Sequence, residues 1–166
     1  MSKMRGEPFY FEDYTIGQQH RSISYTVDKQ EIIDFAKQWD PQPFHIDEEV
    51  AIESIFGGLT CCSAHIFSIF CAISQQWESG AVQQPLASLG FDQLRMLKPV
   101  YAGDTLVNIA TVEETRHSKS NSAAGIVRSC CQMYNQKEEE VFRLRASFML
   151  RCRHASPHIK SEEKSK

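Results

Sequence analysis

The most regular hydrophobic pattern lies near the C-terminal end, where Phe142, Leu144, Ala146, Phe148 and Leu150 alternate with Arg143, Arg145 and Ser147. A period of two predicts a strand with one face in a core and the other in water. Val127, Ser129, Cys131 and Met133 share a face of a second strand over Ala123–Tyr134. Thr105–Val112 is β-prone, and Ala87, Leu89 and Phe91 fall on one face of a strand over Pro85–Leu94. Earlier, Ile23, Tyr25 and Val27 alternate within Arg21–Val27, and the aromatic stretch Phe9–Gly17 reads as a lead-in strand or extended arm.

Helical periods separate these strands. Ile32, Phe35, Ala36 and Trp39 recur at the helical repeat, after Asp28 and Glu31 spaced as in a capping box and before Pro41, which stops the run. The segment DEEVAIES that begins at Asp47 predicts a further turn or two of helix. Ser63–Trp77 carries no charged residue and is apolar over more than one face, as expected of a buried helix. Strands that follow one another without intervening helices predict an antiparallel meander, so the fold class is α+β. The economical arrangement is one antiparallel β-sheet wrapped around a long central α-helix. A single domain over residues 1–153 and a disordered polar tail over 154–166 complete the expected organisation.

Composition narrows the function classes. The 166 residues carry a net charge of -3, which gives no global field to attract nucleic acid or an anionic membrane. No stretch reaches the roughly 20 apolar residues of a membrane span, and the N-terminal residues lack the apolar core of a signal peptide, so a cytoplasmic protein is expected. Of the six cysteines, Cys61 and Cys62 are adjacent, as are Cys130 and Cys131, and no CxxC spacing occurs. Reduced thiols acting as small core residues are expected, rather than bridges or zinc ligands. Cys62 is the exception to watch, because a nearby helix start lowers a thiol pKa.

The densest chemistry is Asp40-Pro41-Gln42-Pro43-Phe44-His45. The two prolines fix φ and push Asp40 and Gln42 out of the helical region, which makes the loop stiff. A carboxylate and an imidazole on such a loop can hold a water, deprotonate it and return a proton. The same spacing suits a plain helix stop with both side chains in solvent, and composition alone does not choose.

The segment FAKQWDPQPFHIDEEVA, with FGGLTCCSAH and RMLKPVYAGDTL further on, resembles the MaoC-like dehydratases, the (R)-specific enoyl-CoA hydratase branch of the hotdog fold. Asp40, Pro43 and His45 match the family pattern Asp-x-Asn-Pro-x-His, with Gln42 in place of the asparagine. The resemblance implies a hotdog fold and a homodimer. It also implies an acyl-thioester substrate, carried by coenzyme A or an acyl carrier protein, and needs neither metal nor redox cofactor. Asp40 and His45 then bind the water that adds to a trans-2-enoyl thioester or leaves an (R)-3-hydroxyacyl thioester. The family glycine that donates an oxyanion N–H at the start of the central helix corresponds to Ser63, a departure that keeps the N–H and adds a hydroxyl. This departure keeps a non-catalytic acyl-thioester-binding subunit open as an alternative, and a hotdog acyl-CoA thioesterase is another. His65 is expected to pack as a buried histidine. His20, His117, His154 and His158 are expected on the surface. Arg95, Lys98, Arg116 and Arg128 are available for the phosphates of coenzyme A, without assignment.

Overall fold

The computed structural model describes residues 6–154, so the predicted tail beyond His154 lies outside the described residues. The elements in chain order are β1 (Pro8–Phe9), a 3-10 turn (Phe11–Asp13), β2 (Gln19–Arg21), β3 (Tyr25–Thr26), α1 (Lys29–Trp39), α2 (Pro43–Ile46) and α3 (Glu48–Glu53). Then follow α4 (Ser63–Ile73), β4 (Val82–Gln83), β5 (Pro85–Met96), β6 (Thr105–His117), β7 (Ala124–Tyr134) and β8 (Glu140–Arg151). An antiparallel sheet in the order β2-β6-β7-β8-β5, with β3 also paired to β6, packs its apolar face on α4. β1 and β4 form a separate parallel pair.

The strand faces follow the alternation. Phe142, Leu144 and Ala146 of β8 and Cys131 and Met133 of β7 are buried against Ile66, Ile69, Phe70 and Ile73 of α4. Arg143 and Arg145 point outward to Glu140 and Glu113. The helix is shorter than the uncharged run that predicts it. It ends at Ile73, where Ser74 caps it, and Trp77 instead bridges to Ser22. Its exposed stripe of Ala64, Ser68 and Ala72 consists of small residues, so the helix is buried on all sides but one.

Two features depart from the expected meander. β5 pairs with β8, not with its sequence neighbour β6, so the Leu97–Asp104 connection crosses from one sheet edge toward the other. No tight-turn sequence joins β5 to β6. The connection is instead pinned: Leu97 donates to the Val141 carbonyl, Cys61 donates to the carbonyl of fully buried Val100, and the Asp104 carboxylate accepts the Tyr101 N–H. Gly103 takes the positive φ of 87° that this turn requires. β5 also contains register shifts between Ser88 and Gly90 and between Asp92 and Arg95. These bulges break the predicted face of Ala87, Leu89 and Phe91. Ser88 opposite Phe148 and Phe91 opposite Ala146 share the core side, while Ala87 opposite Met149 faces away.

The N-terminal arm closes the far end of the sheet. Phe11 lies flat over Gly125 of β7, where a Cβ would collide with its ring, and Phe9, Tyr14, His20 and Trp77 form an aromatic cluster beside it. His20 is therefore half-buried rather than a surface residue. Its ring stacks on Trp77 at 3.9 Å, and burial pushes its pKa below the usual histidine value. Among the described residues no helix is long and apolar enough to cross a membrane.

Candidate active site

Helix α1 starts where Asp28 accepts the N–H of Glu31 at 3.0 Å. The predicted return bond from the Glu31 carboxylate to the Asp28 backbone is not made. That carboxylate turns inward instead, accepts the Tyr25 hydroxyl at 2.6 Å and meets His65 Nε2 at 3.0 Å. His65 is buried and stacked on Phe35, with ring centroids 4.5 Å apart. Burial first, and the hydrogen bond to Glu31 second, drive the Tyr25 pKa well above the ordinary phenol value. The three side chains tie β3, α1 and α4 together.

At its other end α1 stops on Asp40, whose backbone N–H still reaches the Ala36 carbonyl while its own φ of -156° and ψ of 73° leave the helix. Gln42 is extended, as the residue before Pro43 must be, and Pro43 opens the short turn α2 that carries His45. His45 is not in solvent. It is 7% exposed, and its Nδ1 lies 2.7 Å from the Thr60 carbonyl oxygen. A carbonyl only accepts, so Nδ1 carries the hydrogen and donates it, which leaves the lone pair on Nε2. Thr60 is itself fixed by its bridge to Tyr101.

Thr60 leads directly into α4. Cys62 is the N-cap of that helix and caps with no side-chain bond; Ser63 is therefore the first helical residue, not the cap. The first helical bond runs from the Ile66 N–H to the Cys62 carbonyl, so the N–H groups of Ser63, Ala64 and His65 have no helical acceptor. His45 and Ser63 line one cavity of about 310 Å³, together with Phe56, Ile66, Met96 and Lys98. The half-buried Asp40 carboxylate lies near enough to help raise the Cys62 pKa. Burial is the larger cause of that rise, and the N–H groups of His65 and Ala64 oppose it. His45 and Ser63 thus share a cavity at the N-terminus of α4, whereas Asp40 is not among the residues that line it and its carboxylate is placed only within electrostatic reach of Cys62. The expected lowering of Cys62 by the helix start is reversed, because desolvation outweighs the N–H groups.

All six cysteines are free thiols. Among the described residues no cluster of three or more His, Cys, Asp or Glu side chains could hold a metal ion. Of the four basic residues available for phosphate, Lys98 borders the cavity and is bonded to Glu139 at 2.6 Å, whereas Arg116 and Arg128 pair with Glu114 and Asp92 on the outer sheet. The Thr60 carbonyl is the site group that sequence reasoning missed. A backbone acceptor leaves no trace in residue type, and only the buried, β-branched threonine before the uncharged run hinted at it.

An antiparallel sheet around one central helix, with a proline-framed loop carrying His45 docked on the segment that starts that helix, defines a hotdog-fold protein. Comparisons place it further. A family model described as MaoC like domain matches residues 12–130. Protein YdeM of Bacillus subtilis (strain 168), itself uncharacterized, is 30% identical over 142 residues, which are 84% of this chain and 97% of that protein. The MaoC-like dehydratase of Rhodospirillum rubrum superposes with a TM-score of 0.77 and 32% identity, covering 88% of this chain and 99% of that one. The (R)-hydratase of A. caviae involved in PHA biosynthesis shares the fold at a TM-score of 0.67 and 21% identity, over 84% of this chain and 98% of that one. The chain belongs to the MaoC-like dehydratase family. Membership supports a hydratase or dehydratase activity in general.

Proposed function

We propose that the protein adds water to a trans-2-enoyl thioester, or removes it from an (R)-3-hydroxyacyl thioester, with Asp40 as base, His45 as its acid-base partner and the Ser63 N–H at the thioester oxygen. The observation that carries this is the Nδ1 bond of His45 to the Thr60 carbonyl, which fixes the ring and leaves Nε2 as an acceptor in the cavity that Ser63, whose N–H has no helical acceptor, also lines. A water held by Nε2 and the Asp40 carboxylate presents its oxygen to the β-carbon. As the carbon–oxygen bond forms, one water proton passes to Asp40 and the electron pair of the double bond moves onto the thioester as an enolate. The enolate oxygen is stabilised by the N–H of Ser63, a contact of a kind worth about 3 kcal/mol in the transition state. The pair then returns a proton to the α-carbon, so the enzyme ends as it began. The thioester supplies the acidity of that carbon.

The substrate is proposed to be a coenzyme A ester, with Lys98 at the rim of the cavity as the nearest cation for its phosphates. The functional unit is proposed to be a homodimer of single-domain chains. β5 is a sheet edge paired only to β8 among the described strands, and it exposes Leu86, Leu89 and Leu97 on or just beyond it. Incubation with crotonyl-coenzyme A tests the activity. Loss of the enoyl absorbance without free thiol supports hydration, release of thiol supports a thioesterase instead, and neither change supports a binding subunit.

A further inference from the structure

A second and larger cavity, of about 520 Å³, lies along the same face of α4 as the site. Ser63, Ile66, Phe70 and Ser74 sit at successive turns of that helix; the first two border the 310 Å³ cavity and the last two border the larger one. Ser63 and Phe70 are about 10 Å apart along the axis, at 1.5 Å per residue. Strand β5 makes the opposite wall of the same seam: Met96 borders the site, and Phe91, Ser88 and Leu86 border the far cavity. Along α4, Phe67 falls between Ile66 of the site cavity and Phe70 of the larger one, and along β5, Phe91 falls between Ser88 and Met96. Phe67 of α4 and Phe91 of β5 meet edge to face at 5.0 Å across the seam, and Phe91 is backed by Phe70 at 6.2 Å and Phe148 at 6.1 Å.

The geometry points to Phe67 and Phe91 as the residues that set acyl-chain length. This rests on the thioester reading above, since it supposes that the acyl group leaves the reacting carbons along the α4–β5 seam. The site cavity alone is at the small end of the roughly 300–1,000 Å³ typical of ligand sites, so with the ring pair in place it holds a short acyl chain. Truncation of either ring joins it to the apolar far cavity, and each further methylene then gains buried surface instead of meeting a ring. The bulges on either side of Phe91 support the assignment. They place Phe91 and Ser88, three positions apart, on the side of the strand that faces α4, where the Phe91 ring, itself 36% exposed, meets Phe67.

Relative kcat/KM on crotonyl-, octenoyl- and dodecenoyl-coenzyme A tests this for the wild type, Phe91→Ala, Phe67→Ala and Phe91→Trp. The wild type and Phe91→Trp are expected to prefer the crotonyl ester. The two alanine variants, each checked for cooperative unfolding, are expected to raise the dodecenoyl-to-crotonyl ratio by about tenfold or more, the scale of hydrophobic-pocket discrimination. A wild type indifferent to length, or a ratio unmoved in both folded alanine variants, overturns the assignment. If no enoyl ester is turned over, the hydratase reading fails separately. The ring pair is then tested by calorimetric affinity for butyryl-, octanoyl- and lauroyl-coenzyme A, where the same shift toward long chains supports it. Binding of none of them, or an unshifted order, contradicts it.

Discussion

Glu31 Oε1 lies 3.0 Å from the buried Nε2 of His65 while the same carboxylate accepts the Tyr25 hydroxyl. This contact fastens α1, which Asp40 caps, to α4, which begins at Ser63. The distance between the Asp40 carboxylate and the Ser63 N–H is therefore set in part by a bond outside the cavity that His45 and Ser63 line.

Replacing Glu31 by Ala strands a buried imidazole and a phenol without their acceptor. The expected loss is about 1–3 kcal/mol of unfolding free energy, toward the lower end because the carboxylate is part exposed. Urea unfolding measures it. Glu31→Gln, which can still accept from Tyr25, is expected to lose less.

Stability is expected to be greatest between about pH 6.5 and 9. His20 has its folded pKa lowered by burial, so the neutral form is favoured and its contribution is present above the ordinary value of 6.5 and lost as pH falls below it. Cys131 has its thiol pushed up to about 12 by burial, so its contribution is present below 9.0 and lost as pH rises from there toward 12. Tyr25 adds to the alkaline loss above its ordinary value of 10.0. Unfolding free energies across this range check the limbs, and His20→Phe, which keeps a ring on Trp77, should remove the acid limb near pH 6.

The alternation of β8 and β7 and the uncharged run of α4 made sheet, helix and fold class legible in the sequence, because burial on one face dictates period. What was illegible depended on partners distant in the chain. Nothing in β5 tells that it pairs with β8, since that follows from the pinning of the Leu97–Asp104 connection by Val141 and Cys61. The bulges that reorient Phe91 arise from the pairing itself. Asp40 and His45 were legible as a motif, while the Thr60 carbonyl that orients His45 was not. The capping-box spacing of Asp28 and Glu31 was right for the first bond and misleading for the second, because a buried histidine competed for Glu31.

Ser63→Gly is expected to keep or raise turnover, because the N–H is unchanged and a hydroxyl is removed from the cavity wall. Ser63 is the first helical residue, so the cost is the propensity difference between serine and glycine, about 0.5 kcal/mol. Ser63→Pro removes the N–H at a position where proline suits the helix, and should abolish turnover with little loss of stability. Rates and thermal melts of both variants check this.

Sedimentation at micromolar concentration is expected to give a dimer. A charge placed on the β5 edge, Leu89→Lys, should shift it toward monomer. A wild type that sediments only as monomer would contradict an interface at this edge.

The most direct test is the initial rate of enoyl absorbance loss on crotonyl-coenzyme A for the wild type beside Asp40→Asn and His45→Ala. The expected result is a measurable wild-type rate without thiol release, and a fall of about 100- to 10,000-fold in each variant with unchanged circular dichroism. Near-wild-type turnover in either folded variant would contradict it.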